Sequence, residues 1–359
     1  MRIFVCEYHR YRSVTPVGSH WFADEFRKRG HQIVWFSHPR TPLHRVRGTI
    51  PPTIIRHDDG VTEITLRALA PYIEIPIFNS LKWGKRWLAG NRSMIRSNRL
   101  DYCDLMWMSN FTMLGLLDLV KASSVVFRFF DRIERFDRMP RSVFDLVNQY
   151  QDQADLVIAS SSTVCNDLRL RSIDAHHIPN AIDVSRFSND LALQDNRLNR
   201  VIYVGALRSW FDLAAVERWA GALPNVEFLI VGPNDIGIQS SEPNVKIMGP
   251  VPSEEVPALL ATARFGIIPF KMNDLTQGIH PLKLYEYLAS GCMVLSVRLP
   301  DVSEIEGAVF TYESPDEGID ILEENLTRKV DREYLHNIAV AQSWAHRVDD
   351  VAGQLGVEL

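Results

Sequence analysis

A chain of 359 residues is longer than one hydrophobic core usually organises, so two domains are the first expectation. A composition of 46% hydrophobic and 23% charged residues excludes a disordered, collagen-like or disulfide-stapled protein. The net charge of −5 excludes a global basic field that attracts nucleic acid. Four dispersed cysteines are typical of reduced thiols in a cytosolic protein, and we expect neither a signal peptide nor a membrane-spanning helix.

The first half opens with a strand, a helix and a second strand. An apolar run at 3–6 precedes a helix that begins near Gly18 and ends at Gly30, and another apolar run follows at 33–36. Continuous apolar strands are typical of parallel sheets covered on both faces. The pattern predicts a Rossmann-like domain over residues 1–184.

The same alternation resumes at residue 200 and predicts a second Rossmann-like domain over 200–335. Strands are predicted at 201–205, 226–232, 245–248, 265–268 and 293–295, and helices through Trp219, from Ser253 and over 281–290. The polar stretch 185–199 is predicted to be a linker, and the C-terminal helix, 336–359, is predicted to pack back on the first domain. The predicted fold class is α/β, with two Rossmann-like domains facing each other across a cleft.

The strongest functional pattern lies between Gly278 and Gly291. A helix beginning at residue 281 would direct free amide groups and the positive end of its dipole into the cleft, where Lys283 adds a full charge. Glu286 lies on the same helix face and can accept hydrogen bonds from two ribose hydroxyls. These residues predict a nucleoside diphosphate site, with a surface Lys–Glu pair as the alternative. His280 is a candidate cap of this helix.

Ligands of open α/β sheets bind beyond the carboxyl ends of the strands. Asp131 ends the apolar run 125–130, where a partly buried carboxylate can act as a general base, or else cap a helix or pair with a neighbouring arginine. Glu7, after the first strand, is an alternative base. Gly205 ends the strand at 201–205, and Arg208 beyond it can add a charge to a diphosphate or pair with Asp212.

Several segments together resemble glycosyltransferases of the GT-B fold. They are Gly18-Ser19 before a helix ending at Arg29-Gly30-His31, 154–158 before Ser160, 178–183, and 283–291. Within that class, segments 127–131, 203–207, 263–270 and 282–283 resemble the inverting glucuronosyltransferase of xanthan assembly. The resemblance implies a hexosyl- or glucuronosyltransferase that takes a nucleotide-sugar donor, with UDP favoured, and acts on a glycan or lipid-linked glycan.

The resemblance also implies roles by position. Lys283 would meet the diphosphate and Glu286 the ribose, Asp131 would be the base, and His20 would contact acceptor or sugar unless it caps a helix. Leu207, Phe270 and Leu282 would surround the nucleotide base. Two departures bear on the donor: Leu207 and Leu282 replace methionines, and Glu286 replaces a glutamine, which changes the contacts to ribose. Retaining members carry a glutamate where this chain has Gly278, which disfavours retention.

No metal or other cofactor is predicted, because no His, Asp and Glu cluster has metal-ligand spacing and the Asp-x-Asp motif is absent. Segment 78–99 has six basic residues, no acid and interleaved Trp and Leu, which favours peripheral contact with an anionic membrane. The candidate membrane-facing residues are Lys82, Trp83, Lys85, Arg86 and Trp87. The alternative is an amphipathic helix that packs on the sheet of the first domain.

Three other functions are weighed against inverting transfer. A retaining GT-B transferase is the nearest one. A catalytically silent GT-B subunit is disfavoured because Lys283, Glu286 and Asp131 are all present. A nicotinamide-dependent oxidoreductase is disfavoured because no Gly-x-Gly-x-x-Gly loop follows the first strand.

Overall fold

The computed structural model describes residues 1–13, 16–41, 53–68, 86–130, 141–187 and 197–359. These residues form two compact units. The first comprises Met1–Pro179 and Arg347–Leu359, and the second comprises Asn180–His346.

The first unit is built on an eight-stranded sheet. Its strands are β1 (Arg2–Cys6), β2 (Gln32–Arg40), β3 (Ile54–Arg56), β4 (Thr62–Arg67), β5 (Tyr102–Met108), β6 (Lys121–Phe129), β7 (Leu156–Ala159) and β8 (His176–His177). The order is β3-β4-β2-β1-β5-β6-β7-β8, and every neighbouring pair except β3 and β4 is parallel. Central β1 is fully buried from Ile3 to Cys6 because helices or turns cover both faces, as its continuous apolar sequence predicts.

Helices α1 (Gly18–Lys28), α2 (Arg92–Ser97), α3 (Arg141–Tyr150) and α4 (Ser162–Arg169) accompany this sheet, together with the 3-10 turns Ala89–Asn91, Phe111–Asp118 and Gln151–Gln153. The apolar face of α1 packs on β5, where Phe22 and Phe26 place their rings 4.5 and 5.7 Å from that of Trp107. The chain leaves α1 through Gly30, whose φ of +86° favours glycine.

The second unit contains an entirely parallel sheet in the order β11-β10-β9-β12-β13-β14. Its strands are β9 (Arg200–Val204), β10 (Glu227–Val231), β11 (Val245–Met248), β12 (Phe265–Ile268), β13 (Met293–Val297) and β14 (Val309–Tyr312). The helices of this unit are α5 (Leu213–Ala222), α6 (Val256–Leu260), α7 (Lys283–Ala289), α8 (Pro315–Asn325) and α9 (Arg332–Val340), with 3-10 turns at Val184–Arg186 and Thr276–Gly278. The last helix, α10 (Trp344–Leu355), begins at the end of this unit and continues in the first unit.

The second unit begins earlier and ends later than the predicted domain. Its first residues pack against its last ones, because Ile182 forms a bridge with Ser343. Helix α9 crosses the predicted boundary at residue 336, and all of it packs on α7 instead of returning to the first domain. Arg332 and His336 donate hydrogen bonds of 2.8 Å to the carbonyl oxygens of Gly291 and Ala289. Of the predicted returning segment, residues 347–359 belong to the first unit.

Two predicted helix starts are displaced along the chain. The helix expected from Ser253 begins at Val256, with Glu255 at the N-cap and no side-chain cap. The helix expected from residue 281 is the shorter α7, which begins at Lys283. In both cases a turn that contains proline precedes the regular helix, since proline fixes φ but cannot donate a backbone hydrogen bond.

Candidate functional site

At the carboxyl end of β9, the side chain of Lys283 packs against a glycine. Gly205 follows β9 with φ of +155°, and a Cβ atom added there would lie 2.7 Å from the Lys283 Nζ and closer still to its Cε. Gly232, after neighbouring β10, has φ of +148° and leaves no room for a Cβ beside the carbonyl of Gly205. The two glycines thus let the strand ends approach each other and let Lys283 lie across them.

The Lys283 ammonium is half-buried between aromatic rings. Its Nζ lies 5.5 Å from the ring centroid of Tyr203 and 5.9 Å from that of Phe270. Burial lowers the pKa of Lys283, and the nearby Glu286 carboxylate opposes that shift. A cation held beside aromatic faces and partly removed from water is suited to bind a phosphate group.

Glu286 lies one turn further along α7 and is also half-buried. Burial raises the pKa of its carboxyl group, while the charges of Lys283 and Arg186 lower it. The Nη1 atom of Arg186 lies 3.7 Å from Glu286 Oε1. Lys283 and Glu286 are therefore brought together as predicted, and Arg186 is a third charged residue at this place.

Sequence reasoning missed Arg186. It ends the turn Val184–Arg186, 100 positions before Glu286, at the edge of a stretch that was assigned to a linker. The only local signal is the turn chemistry of Asn180 to Asp183, which places a fixed turn there but does not indicate what the following arginine contacts.

The three residues predicted to surround the nucleotide base differ in solvent exposure. Leu207 is fully buried, with its N–H donating 2.8 Å to the Pro233 carbonyl, because the turn after β9 folds back on the turn after β10. Phe270 is also buried and forms a bridge with Phe211. Leu282, just before α7, is half-buried. Of the three side chains, that of Leu282 is the most accessible to a nucleotide base.

Arg208 pairs with a different acid from the one predicted. Its Nη2 lies 2.6 Å from Asp235 Oδ2, and both side chains are exposed. Asp212 is occupied at the start of α5, where Oδ1 accepts a hydrogen bond from the N–H of Ala215. The positive charge of Arg208 is thus balanced locally by Asp235.

The predicted capping role of His280 is wrong. The N-cap of α7 is Leu282, without a side-chain cap, and buried His280 places Nε2 3.3 Å from the Tyr285 hydroxyl. The amide groups of residues 284–286 are not open donors either, since they bond to the carbonyls of Pro281 and Leu282. The turn at Pro281-Leu282 therefore uses three amide groups at this helix start, and the Lys283 ammonium supplies a full positive charge beside them.

In the first unit, Glu7 follows β1 and is fully buried. Its Oε1 accepts a hydrogen bond of 2.7 Å from the N–H of Tyr8. Its Oε2 has no hydrogen-bond partner within the part of the chain that the structure describes. A buried carboxylate oxygen with spare acceptor capacity is compatible with the predicted contact to an acceptor hydroxyl.

His20 has the contacts of the capping alternative. Its Nδ1 accepts a hydrogen bond from Val17 N–H at 3.0 Å, its Nε2 donates to the Arg10 carbonyl at 2.9 Å, and its ring packs on Trp35. Burial lowers its pKa. With both ring nitrogens used by the backbone, His20 ties the loop after β1 to the first turn of α1 and cannot also hold a sugar without losing one of these bonds.

The predicted base Asp131 lies outside the described residues, as do Lys82, Trp83 and Lys85. Arg86 is exposed, but Trp87 is 2% exposed and packs in the core of the first unit, with its ring 6.0 Å from that of His38. The membrane-facing role predicted for Trp87 is therefore wrong, because its indole serves the amphipathic packing that was the alternative.

Among the described residues, no helix is both long enough and apolar enough to cross a membrane. A search of the same residues finds no group of three or more His, Cys, Asp or Glu side chains placed to hold a metal ion.

The chain has sequence relatives among glycosyltransferases. Residues 208–353 match the family model described as "Glycosyl transferase-like". TuaH of Bacillus subtilis (strain 168), named as a glycosyltransferase of teichuronic acid biosynthesis, is 29% identical over 214 residues, which cover 52% of this chain and 54% of TuaH. The chain thus spans about half the length of this curated relative.

Solved structures resemble the chain over nearly its whole length. HepE of Anabaena in complex with UDP and glucose has a TM-score of 0.68 at 14% identity and covers 99% of each chain. An E. coli structure described as trehalose-6-phosphate bound with UDP-2-fluoro glucose has a TM-score of 0.68 at 12% identity and covers 100% of each chain. At these identities the likeness concerns the fold, and the chain has the GT-B class of α/β fold with two Rossmann-like units, as its sequence predicted.

Proposed function

We propose that this chain is a glycosyltransferase that moves a sugar from a nucleoside diphosphate donor to a hydroxyl group of a glycan or lipid-linked glycan. The observation that carries the proposal is the half-buried Lys283 ammonium, lodged against Gly205 one helical turn from Glu286. The match to a glycosyl transferase-like family includes both charged residues and supports the same activity.

The donor is proposed to bind the second unit. Lys283 would neutralise charge on the diphosphate as the sugar leaves, which is the role that preorganised cations have in phosphate-leaving reactions. Glu286 would accept hydrogen bonds from the ribose hydroxyls. UDP is the first carrier to test, because the similar HepE and E. coli structures hold UDP or a UDP-sugar. The resemblance to the xanthan enzyme makes UDP-glucuronate the first sugar donor, ahead of UDP-glucose.

The transfer is proposed to proceed with inversion and without a metal ion. The acceptor oxygen attacks the anomeric carbon, the bond from that carbon to the diphosphate breaks, and Asp131 takes the acceptor proton. Because TuaH is named for teichuronic acid biosynthesis, intermediates of cell-surface polysaccharide assembly are the first acceptors to test. The anomeric configuration of the product, read by NMR, tests this stereochemistry; a retained configuration would contradict inversion.

The donor site is tested by binding. UDP, GDP, ADP and dTDP are titrated calorimetrically into the native chain, with and without a chelator. Exposed Lys329, outside the proposed site, provides the control substitution Lys329→Ala. We expect one nucleotide to bind in a chelator-insensitive way. Lys283→Ala should weaken that binding about 10- to 100-fold, whereas Lys329→Ala should keep it. Absence of binding to all four would contradict the donor site and favour a catalytically silent subunit.

Peripheral membrane contact is a further part of the proposal. In the described part of segment 78–99 the apolar side chains are largely turned inward, and the exposed charges that remain are Arg86, Arg92, Arg96 and Arg99. Cosedimentation with phosphatidylglycerol vesicles, weakened by salt and by the double change Arg92→Glu and Arg96→Glu, would support contact. Equal sedimentation with neutral phosphatidylcholine vesicles would contradict a contact that depends on these charges.

A further inference from the structure

Arg186 has fixed contacts that bring its charge to Glu286. Its Nη2 donates a hydrogen bond of 2.7 Å to the carbonyl of Ser253, and its guanidinium lies 5.8 Å from the Phe187 ring centroid. The turn that carries it is closed by Asp183, whose Oδ1 accepts hydrogen bonds from the N–H and hydroxyl of Ser185. The guanidinium is therefore held by the protein and is not a freely moving surface charge.

The distance between the two charged groups is informative. At 3.7 Å, Arg186 Nη1 and Glu286 Oε1 form an ion pair but lie beyond the hydrogen-bond range of about 2.7–3.2 Å. Within the described residues, the Glu286 carboxylate accepts no side-chain hydrogen bond that would occupy it. Arg186 thus stabilises the negative charge while leaving both carboxylate oxygens available to a ligand.

We propose that Arg186 is a positioning residue that keeps Glu286 an ionised, open acceptor for the two ribose hydroxyls of the donor nucleotide. The inference rests on the proposed function, since it assigns the task of Arg186 within the same donor site. It also adds to the site a residue from the beginning of the second unit, far from α7 in sequence.

The electrostatic surroundings of Glu286 support this role. Burial raises its pKa, and the two charges that lower it are Lys283, on α7 itself, and Arg186, on the turn Val184–Arg186. Tyr287, which also interacts electrostatically with Glu286, has a hydroxyl 3.1 Å from the Val204 nitrogen and a pKa raised by burial, so it stays neutral. Loss of Arg186 would leave Lys283 alone against the effect of burial, and the carboxylate would take up a proton at higher pH.

The experiment is a pH profile of UDP affinity, measured by calorimetry on the full chain. The native chain should lose affinity as the pH falls and Glu286 is protonated. In Arg186→Ala, and in the closer neutral replacement Arg186→Gln, this loss should begin about one pH unit higher. Arg186→Lys, which keeps the charge, should stay close to the native profile. The same titrations in Glu286→Gln, which lacks the carboxylate, measure the part of the pH dependence that comes from the phosphate groups of UDP itself.

The outcomes separate the two proposals. If the native chain binds no nucleotide at any pH, the donor site itself is contradicted. If it binds UDP but Arg186→Ala and Arg186→Gln follow the native profile, the positioning role is overturned. A fall in affinity that is equal at all pH values, and that persists in the Glu286→Gln background, would also overturn it, because Arg186 would then act independently of the carboxylate. Thermal unfolding of each variant verifies that the comparison is made on folded protein.

Discussion

The strand ends of the two units use polar side chains in opposite ways. In the second unit, a glycine follows β9, and the charged groups of Lys283 and Glu286 are half-buried with hydrogen-bonding capacity left. In the first unit, fully buried Glu7 follows β1, and both ring nitrogens of nearby His20 are hydrogen-bonded to the backbone of its own loop. The edge in the second unit keeps two charged side chains with spare hydrogen-bonding capacity, whereas His20 in the first unit has none left.

The comparison shows that position at a strand end does not by itself identify a ligand contact. The useful criterion is the hydrogen-bonding capacity that remains once the local structure is satisfied. Glu286 and the Oε2 atom of Glu7 meet that criterion, while His20 does not. Four substitutions test the contrast between the two edges.

The largest effect is expected from Asp131→Asn in the first unit. Loss of a general base should lower the turnover number about 10²- to 10⁴-fold and leave UDP affinity unchanged. Release of UDP in the presence of acceptor gives the rate, and calorimetry gives the affinity. Exposed Asp101, before β5, supplies the control Asp101→Asn, which should retain full turnover. Undiminished turnover in Asp131→Asn would remove this residue from the role.

Lys283→Ala should weaken the binding of UDP, whereas Asp131→Asn should lower the turnover number. Removal of a charged donor to the diphosphate should weaken UDP binding about 10- to 100-fold, the equivalent of one charge-assisted hydrogen bond. The dissociation constant is measured by calorimetry beside that of Lys329→Ala. An unchanged constant in a variant that unfolds at the native temperature would show that the diphosphate lies elsewhere.

Gly205→Ala tests whether a glycine is needed here to leave room for the Lys283 side chain, or only because of the backbone conformation. The new methyl group would displace the lysine side chain, so UDP should bind about 10-fold more weakly, and the free energy of unfolding should fall by about 1–3 kcal/mol. Gly237 also has a positive φ, +66°, and no heavy atom lies within 4 Å of an added Cβ, so Gly237→Ala is a control glycine substitution without a contact to Lys283. Equal UDP affinities in the two variants would count against the contact with Lys283.

The smallest effect is expected from His20→Gln and concerns the pH dependence of stability. Burial lowers the pKa of folded His20 below its usual 6.5, so below pH 6.5 the unfolded chain binds the proton more readily. The stability contributed by neutral His20 is therefore present above pH 6.5 and is lost as the pH falls through the lower pKa of the folded state. Urea unfolding between pH 7 and 5 should give a shallower slope for His20→Gln. The exposed His177→Gln should keep the native slope.

The sequence predicts the parts of the fold that depend on local pattern. The strands at 245–248 and 265–268 are confirmed to the residue. The second is an uninterrupted apolar run, and the first holds three apolar residues and one lysine between clear breaks. Lys283 and Glu286 were found together because a spacing of three places both on one face of a helix. Helix ends were less accurate, since the turns at Pro252 and Pro281 delay the regular helix by a few residues.

What the sequence could not predict are contacts between distant segments. Arg186 meets Glu286 across 100 positions, and Arg208 pairs with Asp235 where local spacing suggested Asp212. Trp87 presents the same difficulty, because the sequence around a tryptophan next to basic residues looks alike whether the side chain faces a membrane or packs in a core. Tertiary packing decides such cases, and a periodic pattern in one segment carries no information about the partner.

The wedged position of Lys283 also bears on the entropy of binding. A free lysine side chain loses about 1.5–2 kcal/mol of rotamer freedom when a ligand orders it. Here the side chain is already confined by Gly205 and by the rings of Tyr203 and Phe270, so much of that ordering is complete when the protein folds. When a diphosphate binds this lysine, less free energy would be lost in ordering the side chain than at a mobile surface lysine. The same electrostatic attraction would therefore give a higher affinity.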